Sequence, residues 1–264
     1  MLKRTLLAVA LISLTVPAGA ARAVGAAAGP VATDKKTKAE LPFVVGERLS
    51  YEVSWSSFVV AGELTLETKE RRSYNGIDGF HVTAQAQSVG IVSLMGYKVN
   101  DTYDSFLDAK TIKPFRAERR IRHGNKRDQS TVELDQERGT ARLSDGRSIE
   151  IPEETYDLAG LLYAVRAMDL TIGKGRTVTL LEDDKLYTIQ VVPEAREKVY
   201  TRAGEYNAIR ISTKSMDRRG ARDPYKLKFY LTADARRLPV LITAEPTWGQ
   251  VRVELTSATG TRKK

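Results

Sequence analysis

The sequence lacks cysteine and is poor in histidine and aromatic residues, and each shortage excludes a class of protein. Its 264 residues include no cysteine, two histidines and 7% aromatic residues. Without cysteine there are no disulfides and no thiolate ligands for a zinc site. The small aromatic share and strands charged on both faces argue against an outer-membrane barrel, because such strands need apolar bands and aromatic girdles facing lipid.

The first residues have the pattern of a cleavable secretory signal. Lys3 and Arg4 precede an apolar run over residues 6–16, and small residues follow at positions 18–23. This order is typical of a signal peptide, which we place at residues 1–23. The run is shorter than the roughly 20 residues that a spanning helix needs. No cysteine is present to carry a lipid, so we expect a periplasmic protein without a lipoprotein anchor and without a later transmembrane span.

The rest of the chain divides by composition into three parts. Residues 24–41 are rich in alanine, glycine and lysine and are predicted to be a flexible linker. Residues 42–258 form a single β-rich domain, and residues 259–264 form a short basic tail. The formal net charge of +9 is spread along the chain instead of being concentrated in blocks. Dispersed charge favours a solvated surface, and export separates the protein from nucleic acid, so no nucleic-acid partner is expected.

Alternation of apolar and polar residues dominates the domain. Residues 49–55 and 80–86 alternate strictly, which is the period of a strand with one buried face. Asn75-Gly76 lies between two such runs and predicts a hairpin turn. We count about 13 strands with short connections. The predicted fold is mainly all-β, a large curled antiparallel sheet or half-open barrel, because a sheet of so many twisted strands curls.

One segment has helical periodicity instead. Apolar residues recur at offsets of three and four between positions 156 and 169, which predicts one amphipathic helix packed on the concave face of the sheet. Thr155 or Asp157 can cap its N-terminus, and Gly173 marks the end of the segment. The apolar stripe consists of Leu158, Leu161, Leu162, Val165 and Met168.

A single helix is too small to cover such a sheet, so the remaining concave face is either filled by side chains or left as a cavity. Arg166 borders the helical stripe, and two interpretations stay open: burial with a partner, or a side chain that reaches out to solvent. The tryptophans Trp55 and Trp248 are interpreted as core or rim residues. The candidates for lining a ligand cavity are Trp55, Leu158, Leu161, Leu162, Val165 and Arg166.

Basic residues crowd one predicted hairpin. They could bind an anionic surface of the envelope, such as lipid headgroups or an acidic partner. Alternatively, they are the charges that deter an edge hairpin from pairing with other chains. A second basic group is Arg218, Arg219 and Arg222. The candidates for the anionic-surface site are Arg119, Arg120, Arg122, Lys126 and Arg127.

Signals for catalysis or metal binding are weak. His81 and His123 are far apart in sequence, no nucleophile motif accompanies them, and no spacing resembles a zinc site. The acidic run over residues 182–184 could bind a cation, but it also suits a polar hairpin turn and lacks the ligand spacing of a calcium loop. We therefore predict no catalytic residues, no metal and no cofactor.

Several ordered stretches resemble a known family. They are GERLSYEVSW at 46–55, AGEL at 61–64, the helical residues 157–166, and YLTADARRLPV at 230–240. In this order and spacing the chain resembles the bacterial "domain of unknown function 3108" family over nearly the whole predicted domain. The resemblance implies an exported β-rich protein with no established activity, and no catalytic residues are carried over.

Two positions depart from the family pattern. Tyr230 stands where the family often has tryptophan, and Ala233 stands where it often has an acid. These departures weaken any metal or catalytic role for that corner. More distantly, a curled sheet with an internal helix is similar to the half-barrels that carry lipoproteins or lipids through the periplasm, but fold alone does not give function.

The leading hypothesis is therefore a non-catalytic periplasmic protein that binds an apolar ligand, a lipid or a lipoprotein acyl chain, or that supports envelope integrity. The alternative is an envelope scaffold or adaptor that binds a protein or the cell wall through the basic hairpin. A hydrolase is the third hypothesis. The oligomeric state and the identity of the ligand are left open by the sequence.

Overall fold

The computed structural model describes residues 40–56, 59–96, 98–217, 220–222, 226–246 and 249–263. The predicted signal peptide, all but the end of the predicted linker, Trp248, Arg218, Arg219 and the side chain of Arg222 lie outside this description. None of the described helices is long and apolar enough to cross a membrane.

Sixteen strands and two helices make up the described chain. The first half contains β1 (Arg48–Trp55), β2 (Val59–Tyr74), β3 (Ile77–Ser88), α1 (Gly90–Leu94), β4 (Asn100–Asp108), β5 (Pro114–His123), β6 (Lys126–Asp135), β7 (Thr140–Leu143) and β8 (Ser148–Glu150). The second half contains β9 (Thr155–Tyr156), α2 (Leu158–Ala167), β10 (Arg176–Glu182), β11 (Lys185–Thr201), β12 (Gly204–Asp217), β13 (Gly220–Arg222), β14 (Lys228–Thr232), β15 (Pro239–Ala244) and β16 (Val251–Thr259). The predicted mainly all-β fold is confirmed.

Alternation in the sequence accounts for the strands. In β1 the side chains of Leu49, Tyr51 and Val53 are buried, while the residues between them are partly exposed. This is the period of two that places one face of a strand on the core. Asn75 and Gly76 join β2 to β3 with φ angles of 49° and 89°, which confirms the predicted hairpin turn.

β11 is unusual because it continues through a proline. The structure has one strand of 17 residues that contains Pro193. The register of β11 against β12 shifts between Pro193 and Ala195, so a bulge accommodates the residue that cannot donate to the ladder. The Pro193 carbonyl is also used, since it accepts a hydrogen bond from the Gly173 N–H at 2.8 Å.

One continuous sheet contains all sixteen strands. Its order is β8-β7-β6-β5-β4-β3-β2-β1-β16-β15-β14-β12-β11-β10-β9, with β13 paired to β12 beside this path. The described pairs are antiparallel except β9 with β10. The two strands at the ends of the path, β8 and β9, are consecutive in the chain and are joined by residues 151–154. A connection this short brings the two edges together, so the sheet curls back on itself.

α2 lies inside the curl. The Asp157 carboxylate accepts from the Gly160 N–H at 3.1 Å, which confirms one of the two predicted caps. Gly160 permits close packing against β4, because a Cβ atom there would lie 2.9 Å from Ser105 Oγ and 2.7 Å from the Asp157 carboxylate. Ser105 Oγ in turn donates to Asp157 at 2.5 Å. The start of the helix is therefore fixed directly onto β4.

The structure buries α2 more completely than its amphipathic pattern predicted. Every residue from Leu158 to Arg166 is buried, including the faces that the pattern assigned to solvent. The curled sheet surrounds the helix, so even Arg166 is only 1% exposed. α2 ends at Ala167, with Met168 as its C-cap, several residues before Gly173. The sequence also gave no sign of the short helix α1.

Candidate functional site

The place where the two edges of the sheet meet is a seam without a backbone ladder. Among the described residues, β8 pairs with β7 and β9 with β10, and no strand pairing joins the two edges. Side chains close the seam instead. A small apolar cluster, separate from the main core, brings together Leu134, Ala141, Ile151 and Leu181. The two edges of the curled sheet therefore meet here through side-chain packing and not through a hydrogen-bonded ladder.

Two ion pairs cross the seam near the turn between β10 and β11. Arg147, in the turn between β7 and β8, lies 3.2 Å from Asp184. Arg119 of β5 pairs with Asp183. Three of these four side chains are about half exposed, and Arg119 is less so. Exposed ion pairs contribute only about 0–1 kcal/mol each to stability, so these two pairs add little to the contact between the two edges of the sheet.

A pocket of about 50 Å³ opens between these ion pairs and the N-terminus of α2. We call it the seam pocket. Its walls come from β4, β5, β6, β10 and the first residue of α2, and they are mostly apolar. The apolar lining residues are Ala117, Val132, Leu134, Leu158, Leu180 and Leu181. Tyr103, Arg119, Asp157 and Glu182 add polar groups.

Two carboxyl groups of the seam pocket have raised pKa values. Burial raises the pKa of Asp157 to about 6, against the hydrogen bonds from Ser105 and from the Gly160 N–H. Burial, followed by the charge of Asp183, raises the pKa of Glu182 to about 7. Both carboxyls are therefore partly protonated near neutral pH, and the pocket is less charged than its composition indicates.

The walls of the pocket hold two further polar groups. Burial raises the pKa of Tyr103, so its phenol stays protonated. Arg119 Nε is buried and makes no hydrogen bond within the described residues, although Arg119 Nη2 donates to Asp128 at 3.0 Å. The pocket thus offers an apolar interior with hydrogen-bonding groups around it, which is the common composition of a small-molecule site.

Most of the predicted cavity residues do not line the seam pocket. Leu158 lines it, whereas Leu161, Leu162 and Val165 pack in the main core against the sheet. Trp55 is partly buried at the end of β1, outside that core cluster. The sequence predicted a ligand cavity along the helical stripe, and in the structure three residues of that stripe, Leu161, Leu162 and Val165, belong to the main core.

Arg166 also lies apart from the pocket. It is buried and paired with Glu47, with Arg166 Nη1 at 2.6 Å from Glu47 Oε1. The sequence left open whether Arg166 is buried with a partner or reaches out to solvent, and the structure shows it buried with a partner. Pairing explains how a charged group is tolerated in the core.

The predicted basic hairpin divides into two groups. Arg119 pairs with Asp128 and Asp183, and Arg120 pairs with Asp104, so these two arginines are neutralised within the chain. The other three candidates lie at the tip and are exposed, and no carboxylate of the described residues pairs with them. These are Arg122, Lys126 and Arg127.

The histidines form two separate pairs with aspartates. His81 Nε2 lies 2.7 Å from Asp104 Oδ1, and His123 Nε2 lies 2.8 Å from Asp101 Oδ2. Within the described part of the chain, neither ring has a hydrogen bond to a hydroxyl group that could act as a nucleophile. No group of three or more metal-ligating side chains occurs among the described residues. In the acidic run over residues 182–184, Asp183 and Asp184 form the two ion pairs across the seam.

Four residues of the pocket lining carry no functional signal in the sequence: Ala117, Val132, Leu180 and Leu181. Alternation places Val132 on the same face of β6 as Leu134, but it cannot assign the adjacent residues Leu180 and Leu181 to one face of β10. It gives no signal that β6 and β10, which are distant in sequence and not hydrogen-bonded to each other, face one another across a gap.

Comparisons with known proteins find a matching family and a solved structure with a similar fold. A family model described as "Protein of unknown function (DUF3108)" matches residues 50–256. The crystal structure of a beta-barrel-like protein of domain of unknown function DUF1849 from Brucella abortus is similar, with a TM-score of 0.53 at 13% identity over 83% of this chain and 99% of that one. A DUF1089 family protein from Pseudomonas aeruginosa has a TM-score of 0.43 at 10% identity, over 80% and 97%. No curated protein matches the chain.

Proposed function

The chain belongs to the DUF3108 family, and from this premise we propose that it binds the acyl chain of a lipid or lipoprotein, with the end of that chain in the seam pocket. The predicted signal peptide places this activity in the periplasm. The observation that carries the proposal is the mostly apolar pocket at the one point of the described sheet where its edges meet without a ladder.

The size of the pocket decides how much of a ligand it holds. A volume of about 50 Å³ is enough for the end of an acyl chain but not for a whole chain. The seam next to it is closed only by the small cluster around Leu134 and Leu181 and by exposed ion pairs. Parting the β7–β8 hairpin from β10 would therefore extend the pocket without breaking a backbone ladder.

The polar groups suit the other end of such a ligand. Glu182 is next to the ion pair of Asp183 and is partly protonated near neutral pH, so it can donate or accept a hydrogen bond to an ester, amide or carboxyl group. The ion pairs at the mouth keep the polar end of the ligand in contact with water. Each methylene of the ligand that the pocket buries contributes about 0.8 kcal/mol to the free energy of binding.

Native mass spectrometry tests the proposal. The chain is purified from the periplasm without detergent, its bound molecules are extracted with organic solvent, and a dansyl-labelled fatty acid is titrated into the extracted protein. We expect co-purified lipid and saturable fluorescence. A protein that is consistently empty and that leaves the probe unbound contradicts the proposal.

A matched pair of variants locates the site. Ala117→Leu fills the seam pocket and is expected to weaken probe binding at least tenfold. Ala195→Leu adds the same side chain at a partly buried strand position outside the pocket lining and leaves binding unchanged. Equal affinities for both variants would place the ligand elsewhere.

A further inference from the structure

Two exposed apolar side chains lie at the end of α1. Leu94 is 87% exposed and Met95 is 69% exposed, the two highest values among the large apolar residues of the described chain. Both follow directly after the buried Val92, which packs with Ala61 and anchors the segment to β2. Because Leu94 and Met95 are adjacent, they form a contiguous exposed apolar patch, and contiguous patches of this kind occur at protein and membrane interaction sites.

The tip of the β5–β6 hairpin lies beside this segment. The Gly124 N–H donates to the Lys98 carbonyl at 2.7 Å, and Val99 forms a β-bridge with His123. The segment after α1 and the basic tip are therefore held together by backbone hydrogen bonds, and the apolar and basic groups belong to one surface.

Within the described part of the chain, the cations of this surface form no ion pairs. Lys98, Arg122, Lys126 and Arg127 are exposed, and no carboxylate of the described residues pairs with them. The nearby acids are already in use: Asp101 binds His123 and the Arg122 N–H, and Asp128 binds Arg119. The surface therefore keeps a concentrated positive charge around two apolar side chains.

We propose that this surface docks the protein on a bilayer that contains anionic lipid. We call it the docking face, and it consists of Leu94, Met95, Lys98, Arg122, Lys126 and Arg127. Leu94 and Met95 would enter the interface, where apolar side chains leave water, while the four cations contact lipid phosphates. Charge complementarity favours an anionic membrane, and the apolar pair favours a lipid surface over a purely polar polyanion such as the cell wall.

Co-sedimentation with vesicles tests the docking face. Vesicles of phosphatidylglycerol mixed with phosphatidylethanolamine are expected to bind the chain, and vesicles of phosphatidylcholine alone are expected to bind it much less. Since each basic residue near an anionic surface contributes about 1 kcal/mol, the double change Arg122→Glu with Lys126→Glu is expected to lower the partition coefficient at least tenfold. The control is Lys110→Glu, an exposed lysine at the opposite end of β4.

A second pair of variants tests the apolar contribution. Leu94→Ser with Met95→Ser is expected to lower partitioning about tenfold, because the insertion of apolar surface is lost. Tyr200→Ser, at a residue 66% exposed on β11, is the control and leaves binding unchanged. Equal binding to both vesicle types, or no effect of either docking-face variant, would overturn the proposal. Binding to a periplasmic protein in place of vesicles would also overturn it.

This proposal is independent of acyl-chain binding, and the two can fail separately. Ala117→Leu blocks the seam pocket but leaves the docking face intact, so it should sediment with anionic vesicles like the unchanged chain. Conversely, the docking-face variants should still bind the dansyl-labelled fatty acid in solution.

Discussion

Arg166 donates two hydrogen bonds to Glu47 in the interior of the protein, from Nη1 to Oε1 at 2.6 Å and from Nη2 to Oε2 at 3.0 Å. Both side chains are buried, at 1% and 0% exposure. The guanidinium also donates to the carbonyls of Pro42, Arg236 and Arg237. A buried charge is tolerated when it is paired and hydrogen-bonded in this way, and each nitrogen of Arg166 has a partner.

This pair connects three distant stretches of the sequence that carry the family resemblance. Glu47 belongs to the stretch 46–55, Arg166 belongs to α2, and the accepting carbonyls belong to the turn within 230–240. Arg237 completes the junction, because its guanidinium donates to the Arg166 carbonyl at 2.9 Å at the end of α2. The quoted motifs thus meet at one structural junction.

The junction gives the first prediction. Arg166→Met leaves the Glu47 carboxylate buried without its partner, and we expect the free energy of unfolding to fall by about 3–5 kcal/mol. Urea unfolding followed by circular dichroism measures the change. Adding Glu47→Leu should recover part of the loss. Arg138→Met, at a side chain 84% exposed, is the control and should change stability by less than about 0.5 kcal/mol. Equal effects of Arg166→Met and Arg138→Met on stability would contradict this explanation.

The close contact between α2 and β4 gives the second prediction. Gly160→Ala places a Cβ atom 2.9 Å from Ser105 Oγ, so the helix must shift, and we expect a loss of about 1–3 kcal/mol in thermal or urea unfolding. The matched control is Gly175→Ala, whose nearest contact is the Val192 side chain at 3.2 Å. The control should cost less, because its nearest contact is longer, whereas the two side chains next to Gly160 are held by their own hydrogen bond. A stabilised Gly160→Ala protein would show that the contact is not tight.

The N-cap of α2 gives a prediction about pH. Burial raises the pKa of Asp157 from 3.8 to about 6, so the folded state binds this proton more tightly than the unfolded state does. The contribution of Asp157 to stability is therefore full below pH 3.8 and declines as the pH rises to about 6. Asp157→Asn keeps the cap but does not titrate.

Comparing the two proteins isolates this effect. Between acid and neutral pH, the original chain should lose about 1–2 kcal/mol of stability relative to Asp157→Asn, a value reduced because Asp157 is only partly buried. Urea unfolding midpoints over the pH range measure the difference. Parallel pH profiles for the two proteins would show that Asp157 titrates normally.

Asp104, on the face of β4 opposite Ser105, gives a prediction in which stability changes with pH in the opposite direction. Burial alone would raise the pKa of Asp104, but the hydrogen bond from His81 and the charges of Arg120 and Lys69 outweigh it and lower that pKa. Asp104 therefore stabilises the fold above its unfolded pKa of 3.8, and this contribution is lost as the pH falls through its folded pKa. Asp104→Asn should cost about 1–3 kcal/mol at neutral pH.

The same unfolding experiment checks Asp104. The stability difference between the original chain and Asp104→Asn should shrink as the solution is acidified. A difference that stays constant with pH would mean that the loss comes from packing and not from the charge of Asp104.

Much of the local structure could be predicted from the sequence. Alternation at Leu49, Tyr51 and Val53 indicates a strand with one buried face, and Asn75-Gly76 indicates the turn, because these signals depend on neighbouring residues alone. The helical offsets and the cap at Asp157 also predict α2 to within two residues at each end. The order of strands along the chain and the mainly all-β class follow from the same local signals.

The position of the site and the residues that meet there depend on the tertiary structure alone. The sequence could show that Arg166 borders an apolar stripe, but its partner Glu47 lies more than a hundred residues away, and only folding brings the two together. The seam pocket exists because the edges β8 and β9 meet across residues 151–154, and the docking face exists because Lys98 hydrogen-bonds to the distant Gly124. Local periodicity fixes which side of a strand faces inward, whereas the position of a gap depends on how the whole sheet twists and closes.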